Sequence, residues 1–159
     1  RWIPPPSEYA KINVDAVTSK NSATASIAAV ARDDSGAFLG ASTVTVTGMS
    51  DPETPEVPAC RGGLALASDL LLQKVRLVSD CANAVRSIQG EGLGPHGHII
   101  REITATMKNF PRIEFIRERR EANQEAHMLA RGALFDSCGR RVWLFNPPEG
   151  VCIQHLLIP

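Results

Sequence analysis

No charge of one sign predominates in this sequence: Lys and Arg together number 17, Asp and Glu together 17, and the formal net charge at pH 7 is zero. That balance excludes a uniformly basic nucleic-acid binder, so any contact with phosphates has to come from a local patch. Long apolar runs are missing as well. None approaches the roughly 18 residues of a membrane-spanning helix, which excludes a helical membrane protein. Cysteine is sparse: Cys60, Cys81, Cys138 and Cys152 are scattered, with no CxxC pair. Such spacing excludes a disulfide-dense scaffold and reads as free thiols in a reducing, intracellular compartment, nucleus or cytoplasm. The first residue is Arg1 rather than Met, and no apolar signal core follows it. The expectation is a piece of a longer chain, in which Trp2-Ile3-Pro4-Pro5-Pro6 belongs to an extended linker over residues 1–8.

What is present is ordinary in amount. The chain has 159 residues, 43% hydrophobic and 21% charged, the makeup of one globular domain with its own core. From Tyr9 onward, Ile12, Val14 and Ala16 alternate with Lys11, Asn13 and Asp15, the period of a half-buried strand, and Asp15 faces away from the aliphatic side. Residues 26–31 and the Thr- and Val-rich residues 37–47 flank Asp33-Asp34-Ser35-Gly36, a hairpin turn in which Asp and Ser bond the local backbone and Gly accepts positive φ. These runs predict a three-stranded antiparallel meander. After a loop at residues 50–55, Cys60, Gly63, Leu64, Ala67, Leu70 and Leu71 recur at helical spacing. Pro58 fits only a first turn, so this helix starts near Glu56. Residues 75–78 form a short strand ending at Ser79 and Asp80, two good N-caps for a helix over 82–88. A Gly-rich loop, a helix over 99–107, a strand over 113–116 and a final helix capped by Asn123 complete the order βββαβααβα. That order builds a mixed α/β sheet with helices on its faces.

Three carboxylates stand out by context: Asp15 on a strand's non-aliphatic face, Glu56 in a first helical turn, and Asp80 at a strand-to-helix junction. Converging acids bind hard divalent ions, which take oxygen ligands, and two such ions can activate water for phosphodiester cleavage. Taken singly, each acid is better explained by solvation, the helix dipole or capping.

In order along residues 9–137, the chain carries Lys11-Ile12-Asn13-Val14-Asp15-Ala16, Val30-Ala31-Arg32-Asp33-Asp34-Ser35-Gly36, Glu56 ahead of Gly63-Leu64-Ala65-Leu66-Ala67, Val78-Ser79-Asp80, and 120–130 with Asn123 and His127. This ordered set resembles the ribonuclease H type 1 domain, in its plant, retroelement-like, reverse-transcriptase-associated branch. The resemblance implies a ribonuclease H-like fold with a five-stranded mixed sheet, the first three strands antiparallel, and helices on both faces. It implies hydrolysis of the RNA strand of RNA–DNA hybrids by two Mg²⁺ or Mn²⁺ ions, leaving a 3′-hydroxyl and a 5′-phosphate. By the same resemblance Asp15 bridges both ions, Glu56 binds the first and Asp80 the second. The family's fourth acidic position falls on His127, as it does in other plant-branch members. An imidazole is a poorer Mg²⁺ ligand than a carboxylate; it can instead bind Mn²⁺ or act on a proton, or simply be a half-buried helix residue satisfied by a neighbour.

Other departures bear on activity. Ala16 stands where the family usually has Gly, Ala25-Ser26-Ile27-Ala28 replaces glycines of the second strand, and Pro58 follows Glu56 by two residues. The alternative to an enzyme is therefore a catalytically weak or inactive module that binds nucleic acid or protein. For nucleic acid, Arg101, Lys108, Arg112, Arg117, Arg119 and Arg120 outnumber the interleaved Glu102, Glu114 and Glu118; Arg117, Arg119, Arg120 and Asn123 are the candidate contacts. The dense basic handle of bacterial relatives is missing. His96 and His98 lack the further ligands of a zinc site and read as loop residues. Trp2 and Trp143 read as packing residues. Residues 138–159 form an apolar tail, and within it 142–158 is the candidate protein contact.

Overall fold

The computed structural model describes residues 1–48, 56–90 and 97–155. The loop expected at 50–55, most of the Gly-rich loop after Gly90, His96, and Leu156, Leu157 and Ile158 of the tail lie outside the described residues.

The meander forms as expected from β1 (Ala10–Ser19), β2 (Thr24–Arg32) and β3 (Phe38–Thr47), paired antiparallel. Its second turn works by the chemistry its residues suggest. Asp33 Oδ1 accepts from the Ser35 and Ala37 backbone N–H groups at 3.0 and 2.9 Å and from the Ser35 hydroxyl at 2.7 Å, while Gly36 takes a φ of 86°. Helix α1 (Glu56–Asp69) leads to β4 (Lys74–Ser79), α2 (Ala82–Gln89), α3 (Gly97–Met107) and β5 (Arg112–Arg117). A short 3₁₀ turn, Arg120–Ala122, then feeds α4 (Gln124–Ala133). Because α3 begins at Gly97, exposed His98 is in a first helical turn and not in a loop.

Among the described residues the sheet has six strands, one more than the resemblance implies. The extra strand is β6 (Gly139–Trp143), which comes from the apolar tail and pairs antiparallel with β3. Two exposed arginines and no clean alternation hide it in the sequence. Strand order is β5-β4-β1-β2-β3-β6, with β4 parallel to both β1 and β5.

β1 is not half-buried. Sitting mid-sheet, it is covered on both faces, and Lys11, Asn13 and Asp15 are only 1%, 4% and 3% exposed. On one face Ile12 and Val14 pack with Ile27, Leu64, Leu77, Ile103 and Phe115 beneath α1, α2 and α3. On the other lies α4, whose buried Ala126, Ala130 and Ala133 let it approach closely, beside Val151 of the C-terminal segment, which packs with Val30. Polar contacts fix it there: Thr45 Oγ1 donates to the Ala133 carbonyl at 2.9 Å, and Ser26 Oγ donates to that of Ala130.

Close packing also sets the height of α1. A Cβ on Gly63 would meet Val14 Cγ1 at 2.6 Å and Leu77 Cδ1 at 2.8 Å, closer than atoms approach. Glycine there lets the helix lie on β1 and β4. Glu56, two turns earlier, shares that face.

The N-terminal segment packs onto the domain. Trp2 stacks on His155 with ring centroids 5.2 Å apart, and the Ile3 carbonyl accepts from Lys11 Nζ. Trp143 packs with Phe38, Val30 and Val151, so both tryptophans act in packing.

A candidate metal centre of three carboxylates

Register decides where the acids meet. In the parallel β1–β4 pair Lys11 lies opposite Arg76 and Asn13 opposite Val78. Continuing by two residues sets Asp15, midway along β1, level with Asp80, just past the C-terminal end of β4, and the end of a parallel strand is where open α/β sheets bind ligands. Glu56 arrives from the first turn of α1, and Pro58 is accommodated in that turn. One oxygen from each of Asp15, Glu56 and Asp80 lies within 4.8 Å of the other two.

Three anionic groups so close repel one another, and burial strengthens the effect. Burial first, then the charges of Asp15 and Asp80, push the Glu56 carboxyl up to about 8. Burial and then Asp80 also raise Asp15, against the opposing hydrogen bond from His127. Glu56 Oε2 is buried and has no hydrogen-bond partner among the described residues. A buried carboxylate oxygen without a donor is what a cation ligand looks like before its ion arrives, so the residues fit a hard divalent metal.

Around this centre the helix α4 supplies His127, whose Nδ1 lies 2.8 Å from Asp15 Oδ2. Its ring nitrogens are not among the mutually close atoms of the acidic cluster. Asn123 occupies the N-cap position of α4 but its side chain caps nothing. It is 1% exposed; its Nδ2 donates to the Val14 carbonyl at 2.9 Å and its Oδ1 accepts from Asn13 Nδ2 at 2.9 Å. Asn123 is thus a strut between α4 and β1 with no surface for nucleic acid. Neither Ser79 nor Asp80 caps α2: Cys81 is the N-cap residue, without a side-chain bond, and Ser79 Oγ accepts from the Cys81 N–H.

The arginines divide. Arg120 Nε is 3.5 Å from Asp80 Oδ2, and Arg117 Nε donates to the Asp80 carbonyl at 3.4 Å, so both stand at the acidic centre. Arg119 and Arg117 line a groove with Trp2, Ile3 and Glu118. Arg101, Lys108 and Arg112 are exposed on α3, the turn after it and β5. The Ala16 side chain turns to the core face with Ile12 and Val14, away from Asp15.

Sequence reasoning missed Lys11 and Asn13. Lys11, fully buried, forms an ion pair with Glu118 at 2.5 and 2.7 Å, which fixes the segment leading to α4 against β1. The available signal was the alternation itself: polar residues on a strand's second face need partners if a helix covers it.

Residues 13–133 match the family described as reverse transcriptase-like. The chain belongs to the reverse transcriptase-like family. Its fold is that of type 1 ribonuclease H domains. The N-terminal RNase H domain of rv2228c from Mycobacterium tuberculosis superposes with a TM-score of 0.71 at 22% identity, covering 79% of this chain and 93% of that one. RNase H1 from the archaeon Halobacterium salinarum gives 0.70 at 19% identity, covering 81% and 99%. LC11-RNase H1, solved in complex with an RNA/DNA hybrid, gives 0.68 at 22% identity, covering 79% and 96%. No curated protein matches the chain by sequence. No helix among the described residues is long and apolar enough to cross a membrane.

Proposed function

We propose that this reverse transcriptase-like domain is a metal-dependent endonuclease that hydrolyses the RNA strand of RNA–DNA hybrids. The observation that carries the reading is the meeting of Asp15, Glu56 and Asp80 within 4.8 Å, with Glu56 Oε2 buried and without a hydrogen-bond partner among the described residues. Asp15, Glu56 and Asp80 would hold Mg²⁺ or Mn²⁺, two ions in the family's mechanism. Bound there, such ions activate water and offset charge on the leaving oxygen, giving a 3′-hydroxyl and a 5′-phosphate.

The chain's own contribution is positional. β1 and β4 hold Asp15 and Asp80 level, and Gly63 brings Glu56 down to them. His127 fixes one oxygen of Asp15 and keeps Nε2 for proton exchange. Arg117 and Arg120, exposed beside Asp80, and Arg119, exposed in the neighbouring groove, would contact phosphates, with affinity falling as salt rises. The same reading places the domain in a plant retroelement-like branch, within a longer chain in nucleus or cytoplasm. Leu144 and Phe145, 45% and 87% exposed, support a protein contact within 142–158.

One observation favours binding without cleavage: His127 stands in the family's fourth acidic position and is already bonded to Asp15. A labelled hybrid incubated with Mg²⁺ and then Mn²⁺, beside Asp15→Asn and Asp80→Asn, separates the two. Loss of cleavage in both variants supports the nuclease. Equal background in wild type and variants overturns it and leaves the binding module.

A further inference from the structure

A buried ion pair outside the acidic centre holds the link that carries two of the arginines. Lys11 lies near the start of β1 and Glu118 just past the end of β5, and both are buried. Replacing a buried ion pair by apolar side chains of like volume is often neutral or stabilising, so stability alone gives little reason to keep one. What this pair does is fix residues 118 and 119, which join β5 to the 3₁₀ turn outside any strand or helix. The Glu118 N–H donates to the Ser79 carbonyl at 3.1 Å, and its carboxylate reaches Lys11 Nζ with both oxygens. We propose that the Lys11–Glu118 pair is a positioning element for substrate, setting Arg117 and Arg119 to grip successive phosphates of a nucleic-acid strand that lies in the groove beside them. The proposal rests on the nuclease reading and adds the seat of its substrate strand.

Arg117 and Arg119 are exposed on either side of buried Glu118, the alternation of extended chain, and Arg119 has extended dihedrals, φ −66° and ψ 155°. Two residues of extended chain span about 6.5 Å, close to the step between neighbouring phosphates along one strand. Arg117 joins the groove to the acidic centre: its Nε donates to the Asp80 carbonyl at 3.4 Å, and it lines the groove with Arg119.

The groove encloses about 580 Å³, and Trp2, Ile3, Pro4 and Ala122 give it an apolar wall against which sugar and base edges can pack. Lys11 holds that wall as well. Its ammonium donates to the Ile3 carbonyl at 2.5 Å and lies 5.4 Å from the centre of the Trp2 ring. One buried ammonium therefore fixes both sides of the groove, the arginines through Glu118 and the apolar wall through Ile3 and Trp2. Of the acids lining it, Glu118 is neutralised by Lys11, so Arg117 and Arg119 outweigh Glu121.

The test reads binding and cleavage separately. Binding of a fluorescently labelled RNA–DNA hybrid at low salt is followed by anisotropy in the whole chain carrying Asp15→Asn and Asp80→Asn, whose acidic centre is disabled. In that parent, Arg117→Gln with Arg119→Gln should weaken binding at least about tenfold and reduce the salt slope by about two, one for each phosphate contact. Lys11→Met with Glu118→Leu, which leaves both arginines in the chain, should weaken binding at least about fivefold and flatten the salt dependence. Glu118→Asp, which keeps the charge on a shorter arm, should give an intermediate loss. The ion-pair and arginine changes combined should bind little more weakly than the arginine changes alone, because the pair acts through the arginines. In the active chain, Lys11→Met with Glu118→Leu should raise KM with kcat within about twofold of wild type. Circular dichroism confirms that each variant folds. Unchanged hybrid affinity in the folded ion-pair variants or in the arginine variant overturns the proposal and leaves the nuclease reading standing. Equal falls in kcat and kcat/KM overturn it too. A parent chain that binds no hybrid removes the substrate of the nuclease reading, and the proposal falls with it.

Discussion

His127 Nδ1 lies 2.8 Å from Asp15 Oδ2, joining an imidazole 36% exposed in its side chain to a carboxylate at 5%. The contact makes His127 a positioning residue for Asp15. His127→Ala should lower kcat about 10- to 100-fold while Mg²⁺ affinity changes little. His127→Asp should do something different: a fourth carboxylate adds repulsion that only a cation relieves, so the thermal shift on adding Mg²⁺ should exceed that of wild type. Equal Mg²⁺ shifts in the two proteins would place residue 127 outside the field of the centre.

Glu56 gives the metal-free protein a pH dependence with a definite sign. Its carboxyl rises from 4.5 unfolded to about 8 folded. The folded state therefore binds the extra proton between those values, and stability falls as pH rises through about 8. In EDTA, Tm should decline from pH 5 to pH 8.5 in wild type and decline less in Glu56→Gln. Mn²⁺ at pH 8 should restore wild type and leave Glu56→Gln nearly unmoved.

Gly63→Ala places a methyl where Val14 and Leu77 already stand, at 2.6 and 2.8 Å. Overpacking of this kind costs about 1–3 kcal/mol. Because α1 must rise, Glu56 moves with it, and cleavage should fall at least about tenfold more than in a control variant of equal Tm. Denaturant melts beside initial rates check this.

Lys11 and Glu118 form a buried pair 107 residues apart in sequence. Removing one partner, as in Glu118→Leu or Lys11→Met, should cost about 3–5 kcal/mol, whereas the two together should cost far less. A urea double-mutant cycle measures the difference.

Local chemistry made much of the fold legible. Alternation in Lys11 to Ala16 revealed β1, Asp33 and Gly36 revealed the hairpin, and Pro58 fixed the start of α1. The acids of the centre were each recognisable by position, while their convergence rested on the order of several motifs. What stayed hidden depends on distant partners. Asn123 looks like a cap because capping is local, yet its amide is claimed by Val14 and Asn13 across the sheet. Strand β6 owes its existence to the open edge of β3 rather than to its own pattern. Glu125, Cys152 and His155 are brought together by backbone pairing at Gly36 and Phe38, which no spacing encodes.

That sixth strand has a consequence for solubility. Without it, β3 would end the sheet with Ala41-Ser42-Thr43-Val44-Thr45-Val46-Thr47 along its rim, an uncharged, β-branched run prone to adding strands from other molecules. With it, the rim carries Arg140 and Arg141, and a second copy laid antiparallel there would bring arginine against arginine. Trimming the domain at residue 138 would leave the acidic centre whole and turn a quiet border into an aggregation front.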